Sequence, residues 1–213
     1  MKSIVIGIHL YEEDVRPVAD AIRAGDLWAS VFPVDDDRPL GDRNLLLEVA
    51  AIRGRLLDRA TFVAIRYGFA VRDASELASK TTAMSAHWRE LLIAHRDEVE
   101  MTLKVPAVAP PPRPNRRDFA SGAAYLRALH ESSNAVDIDA AFRADVERTL
   151  VPLAARHRWI RDASSVELAM LVRRSDVAKV NAAGEALRRD HAKTPFLLSG
   201  PWPLEVFTDD HQQ

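Results

Sequence analysis

The chain has no cysteine. Disulfides, thiolate nucleophiles and cysteine-ligated zinc or iron–sulfur centres are thereby excluded, which fits a reducing cytosol. Glycine is scarce, at eight residues in 213. No GxGxxG, no GxxxxGK followed by Ser or Thr, and no GxSxG can be found, so the common phosphate loops and the nucleophile elbow are missing. Charge of one sign is also lacking. Lysine and arginine number 29 against 31 acidic residues, for a formal net charge of -2, and the pI is about 6.4. Nucleic-acid binding normally leaves a basic footprint, and none is present. No apolar run approaches the roughly 20 residues that a membrane-spanning helix needs. The first residues, "MKSIVIGIHLYEEDV", carry one lysine and a short apolar run that acidic residues follow at once. That pattern does not read as a signal peptide. The expectation is a soluble, cytoplasmic protein with no nucleic-acid partner and no membrane insertion.

Metal chemistry finds little support. The seven histidines are His9, His87, His95, His130, His157, His191 and His211. "HESSN" at His130 begins a zinc-protease pattern but places Asn134 where the second histidine belongs. His87 and His95 are two turns apart on one predicted helix, too far to chelate one ion directly. They read as surface or hydrogen-bonded core residues. Asp35, Asp36 and Asp37 suggest a calcium loop, but Pro39 and Leu40 stand at the template's fifth and sixth positions. A solvated turn explains them better. No cofactor or metal is expected.

What the sequence does have is 47% hydrophobic residues, enough for a core without staples, in alternating strand and helix patterns. "SIVIGIHL", "LWASVFPV", "TFVAIRYGFAV" and "EVEMTLKVPA" read as strands. "EEDVRPVADAIRAG" reads as a short helix disturbed by Pro17. Asp42 reads as the N-cap of a helix to about Arg59, with Leu45, Val49, Ile52 and Leu56 on one face. A second helix runs from about Ala74 to Glu98. Pro106 to Arg117, "PAVAPPPRPNRR", is the clearest boundary, since five of its residues are proline. Its PxxP is formally an SH3-type ligand, but a semi-rigid spacer is the better reading. Beyond it come two helices, the second interrupted near Pro152, then the strand "SSVELAMLVRR", the helix "SDVAKVNAAGEALRRDH" and a last short strand, "PFLLSG". This predicts an α+β chain in two domains, 1–105 and 118–198, with a linker at 106–117 and a tail at 199–213.

Three local features stand out. Arg66 lies in a strand that otherwise reads as buried, so it either pairs with a carboxylate or carbonyls or marks a solvent-facing position. Gly68 reads as a bulge. Ser121 stands at a helix start, where it caps the helix rather than serving as a nucleophile. The tail "FLLSGPWPLEVF" is oily and stiff for a segment so near a chain end. Pro201 and Pro203 restrict its unfolded state. It predicts a latch that leaves the last strand near Gly200 and packs Trp202 and Phe207 against the body.

Several of these stretches, in order, resemble the gas vesicle GvpF/GvpL family. "TFVAIRYGFAV" is similar to that family's segment ending in Arg-Phe-Gly, with Arg66 and Gly68 in place and Tyr67 for the Phe. "DEVEMTLKV" matches its next strand at Glu100 and Lys104. "SGAAYL" matches its Ser-Gly-x-x-Tyr-Leu helix start at Ser121, Gly122, Tyr125 and Leu126. "VELAMLVRRSDVAKV" resembles its late strand and helix. "SGPWPLEVF" matches its Gly-Pro-Trp-Pro ending at Gly200, Pro201, Trp202 and Pro203, with Leu204 and Glu205 where Pro-Tyr is common.

The resemblance implies an N-terminal α/β domain and a C-terminal ferredoxin-like domain with added helices. It implies a gas vesicle accessory protein, not an enzyme, whose partners are the hydrophobic shell protein and other accessory proteins. Exposed apolar shell subunits aggregate unless covered, and a soluble partner could hold them during assembly. Arg66, Tyr67, Gly68, Ser121, Gly122, Tyr125, Gly200, Pro201, Trp202, Pro203 and Phe207 are then expected in structural or interdomain roles. The competing reading is a ferredoxin-like ligand-binding or regulatory module without a vesicle role.

Overall fold

The computed structural model describes residues 2–106, 114–134, 137–162 and 164–209, apart from the side chains of 132–134 and 209. The linker expectation falls largely on 107–113, which lie outside the described residues, as does His211. The chain divides into two compact units. One is Met1–Val99 together with Pro201–Gln213, and the other is Glu100–Gly200.

In the first unit, β1 (Lys2–His9) is the central strand, because an unbroken β-branched run suits a strand covered on both faces. Ile4, Val5 and Ile6, which point alternately to opposite faces, are all 1% exposed or less. β2 (Asp20–Ala24) and β3 (Leu27–Val34) form a hairpin, and β3 pairs antiparallel with β1. The helix expected over Glu12–Gly25 is therefore absent. Only a 3-10 turn at Glu12–Asp14 forms. The next segment gains more from pairing with β3, and Gly25, at φ +64°, opens the two-residue turn that joins them.

α1 (Arg43–Leu57) is capped by Asp42, whose carboxylate accepts the Leu45 N–H at 2.9 Å. Its buried face is Leu45, Val49, Ile52 and Leu56, as the spacing predicts. The single strand expected over 61–71 is two short ones, β4 (Val63–Ala64) and β5 (Ala70–Val71), both on the same edge of β1. Between them Gly68 turns the chain at φ +92°. α2 (Ala74–Ala94) packs on β2 and β5 and ends a turn earlier than expected. All the strand pairs of this sheet are antiparallel among the described residues.

In the second unit the strand order is β7-β8-β6-β9, with β6 (Glu98–Pro106), β7 (Arg156–Arg161), β8 (Ser165–Arg173) and β9 (Leu197–Trp202). With α3 (Gly122–Asn134) and α4 (Ala140–Thr149) after β6, and α5 (Val177–Asp190) after β8, this is the split β-α-β-β-α-β order of ferredoxin-like folds. Alternate residues Met101, Leu103 and Val105 of β6 join Leu168, Met170 and Val172 of β8 in one apolar cluster. Phe142 and Val146 of α4 and Val180 and Leu187 of α5 close it. The edge strand β7, "RHRWIR", has no apolar alternation, which is why the sequence reading missed it. Ser121 does cap α3, its hydroxyl accepting the Ala124 N–H at 3.1 Å.

Candidate binding groove

The tail returns to the first unit. Leu204 bridges Val63 in parallel: the Leu204 N–H donates to the Phe62 carbonyl at 2.9 Å, and the Ala64 N–H donates to the Leu204 carbonyl at 3.0 Å. Leu204 is completely buried and Phe207 is 2% exposed. A ring nitrogen of His87 on α2 lies 2.6 Å from the Thr208 carbonyl. The latch thus closes through Leu204 and Phe207. Trp202, expected to bury itself, is 47% exposed. It still belongs to β9, where alternation turns one side chain of each pair outward.

That outward turn makes a groove. Pro201, Trp202 and Pro203 form one wall, and Tyr67 stands at an end. The opposite wall is a second stripe of α1: Leu46, Val49, Ala50, Arg53, Gly54 and Leu57. The cavity is about 290 Å3. That is the low end of the range for ligand sites, enough for a few side chains. Its lining is mainly apolar. Leu46 is 40% exposed, although a mid-face leucine normally finds cover.

Two polar groups fix the groove's geometry. The Tyr67 hydroxyl donates to the Leu40 carbonyl at 2.7 Å, which pins the ring beside the start of α1. Burial raises the pKa of this phenol, so it stays protonated. Arg53 lies in the α1 wall, its Nη2 donating to the carbonyls of Ile65 at 2.8 Å and Ile6 at 3.4 Å. Its Nε is buried without a hydrogen-bond partner among the described residues. Burial lowers the Arg53 pKa and the Glu205 charge opposes that shift. The guanidinium remains charged.

The structure thus gathers Tyr67, Pro201, Trp202 and Pro203 at one place. Arg66 and Gly68 adjoin Tyr67, but the Arg66 side chain is exposed and outside any strand, because the strand breaks there. The half-buried cation of this region is Arg53, which the sequence reading passed over. The signal was available as a second stripe at Leu46, Ala50, Arg53 and Leu57, beside the core stripe. Ser121, Gly122 and Tyr125 belong to the second unit, where the Tyr125 ring lies 5.9 Å from Phe119. Gly200, at φ +125°, lies where a side chain would strike the Glu100 carbonyl at 2.9 Å.

Among the described residues no three potential ligands gather to hold a metal ion, and no helix is long and apolar enough to cross a membrane. His9 is the one strongly perturbed histidine among them. It is completely buried, 3.0 Å from the Ser30 hydroxyl and stacked on Phe62 at 4.9 Å. Burial alone lowers its pKa to about 3. Since the Ser30 hydroxyl donates to the Gly7 carbonyl, His9 Nε2 carries the proton toward Ser30. The unpartnered Nδ1 is then a bare acceptor.

The fold is similar to two crystal structures of gas vesicle protein GvpF. The one from Microcystis aeruginosa matches with a TM-score of 0.68 at 11% identity, covering 98% of this chain and 99% of that one. The one from Anabaena sp. PCC7120 matches with a TM-score of 0.65 at 11% identity, covering 97% and 95%. At such identity the likeness speaks for the fold. No curated protein sequence matches the chain. The family model described as "Gas vesicle synthesis protein GvpL/GvpF" matches residues 14–207. With the whole second sheet and the Gly-Pro-Trp-Pro tail inside that span, the chain belongs to the GvpL/GvpF family of gas vesicle synthesis proteins.

Proposed function

We propose that this protein is a gas vesicle accessory factor that binds the hydrophobic shell protein during vesicle formation, as an assembly factor or minor structural component. It works by binding rather than by catalysis, in the cytoplasm and at the vesicle, alongside other accessory proteins. The observation that carries this reading is an apolar groove left open on a member of a vesicle-synthesis family. An exposed apolar surface of this kind is where a soluble chain can cover an aggregation-prone partner. The motif residues Tyr67, Pro201, Trp202 and Pro203 serve here by shaping the groove. Arg66 and Gly68 serve by setting the turn that carries Tyr67, and Phe207 by anchoring the tail.

The test is co-expression with the shell protein followed by affinity capture without detergent. Capture of soluble shell protein is expected. Shell protein that stays insoluble and uncaptured, with vesicles still forming when this gene is deleted, overturns the proposal.

A further inference from the structure

Gly54 is an odd residue to find within α1. Glycine in a helix is destabilising relative to alanine. Such a glycine is usually kept because something fills the place of its missing side chain. Gly184 of α5 shows this, since a Cβ there would meet Leu198 Cδ2 at 2.3 Å. At Gly54 a Cβ would meet nothing within 4 Å. Among the described residues nothing occupies that space, and the residue lines the groove. With Ala50 one turn earlier, it forms a low saddle on the exposed stripe of α1, where another backbone can come close.

The charges near the groove are distributed unequally. Arg43 lies on the same stripe as Leu46, Ala50, Arg53 and Leu57, one turn N-terminal to Leu46. Arg66 precedes Tyr67, whose hydroxyl reaches Leu40 just ahead of α1. Among the described residues neither arginine has an ion pair or a side-chain hydrogen bond. The acids at this end are already engaged: Glu48 and Asp42 pair with Arg38 at 3.0 and 3.6 Å. Glu205 acts on Arg53. Asp58, exposed, follows the far end of α1. The end nearest the start of α1 therefore combines two free cations with the positive end of a helix dipole.

Resting on the function proposed above, we infer that the groove between α1 and the Pro201–Pro203 segment receives one amphipathic helix of a partner vesicle protein. Its apolar stripe lies on Leu46, Ala50 and Gly54, and its flanking carboxylates face Arg43 and Arg66. The mode is a helix in a groove, read through anchors spaced at i, i+3, i+4 and i+7. The apolar floor supplies affinity and the two arginines supply orientation.

The probes are three labelled synthetic peptides of about four helical turns. One has a leucine stripe flanked by glutamates, one the same stripe flanked by lysines, and one is a scramble of the first. Fluorescence anisotropy with the full chain should show the glutamate peptide binding about tenfold or more tighter than the lysine peptide. The scramble should not bind. Gly54→Leu fills open space in a helix, so it should fold at least as well as the wild type and lose about tenfold or more in affinity. Arg43→Glu combined with Arg66→Glu should reverse the preference to the lysine peptide. Equal affinity for both flanked peptides, no binding of any, or full binding by Gly54→Leu overturns the inference. Shell-protein capture separates the two proposals. If Gly54→Leu captures shell protein as well as the wild type does, the vesicle role stands and this groove falls. If the wild type captures none, the vesicle role itself falls.

Discussion

The apolar cluster at the heart of the Glu100–Gly200 unit holds Met101, Leu103, Phe142, Leu168 and Met170 at 0% exposure. It is drawn from one continuous stretch of chain. The other unit buries His9 at 0% exposure amid its isoleucines and is completed by residues from the far end of the sequence. Its wall beside that tail is where the groove lies. The contrast shows where this fold keeps its vulnerability. A sheet whose cluster is closed by helices from the same stretch of chain needs nothing from a distant segment. A sheet finished by a returning tail depends on a few distant residues, and leaves surface open beside them.

Removing the tail should expose the contrast most sharply. A chain ending at Pro203 keeps β9 but loses Leu204, Phe207, and the two backbone hydrogen bonds to Phe62 and Ala64. Truncating a buried leucine costs about 2–5 kcal/mol and a phenylalanine about 3–5. Together these rival the entire stability of an ordinary domain. Hydrogen exchange read peptide by peptide should show β1 and β3 losing protection while β8 keeps it. Equal loss in both would show one cooperative body and break the comparison. Unchanged protection in both would show that the tail is no latch.

Acid should separate the units next. His9 has a folded pKa of about 3 against an ordinary 6.5. Between those values the unfolded chain binds a proton that the folded chain refuses. Stability is therefore complete above about pH 6.5 and is lost as pH falls toward 3, with a slope approaching 1.4 kcal/mol per pH unit. From pH 7 to pH 5 the loss is about 2 kcal/mol. In the second unit Asp145 is held below its ordinary 3.8, first by Arg148 and then by His191, so it does not titrate in that range. Exchange in β1 and β3 should quicken across pH 7 to 5, after correction for the intrinsic rate, while that in β8 stays flat. His9→Gln keeps a partner for Ser30 and cannot titrate, so it should abolish the slope. A slope that survives the substitution would place the acid sensitivity elsewhere.

These differences also explain what could be read from the sequence. Caps and one-faced helices were legible because their signals are local: Asp42, Ser121, and the stripe from Leu45 to Leu56. The second unit's strands β6 and β8 were legible, β6 because its apolar residues alternate and β8 because it carries a continuous apolar run. β2 was not, because its pairing with β3 overrides a helix-like pattern after Pro17. β7 was not, because an edge strand of arginines carries no period. At the groove, the motif residues Tyr67, Pro201, Trp202 and Pro203 were found, but their assembly on α1 was not. The bridge from Leu204 to Val63 spans most of the chain, and no local rule announces it. Trp202 differs for another reason. Its hydrophobicity argued for burial, while strand geometry turned it outward.

The smallest test sets two helical glycines against each other, one in each unit. Gly54→Ala should raise stability by about 0.5–1 kcal/mol, since alanine gains helix propensity and meets nothing within 4 Å. Gly184→Ala carries the same gain in propensity, but its methyl would strike the end of the Leu198 side chain, 2.3 Å away. Leu198 packs against the closed apolar cluster, so moving it costs about 1–3 kcal/mol, and the net effect should be a loss. Thermal melts of the two variants should therefore move in opposite directions. If Gly54→Ala also lowers the melting temperature, the space above α1 is needed by this chain itself, and the groove is part of its own packing. If it raises the melting temperature as expected, the helix carries a glycine that its own fold does not require, and the reason for it lies in whatever comes to rest on Ala50 and Gly54.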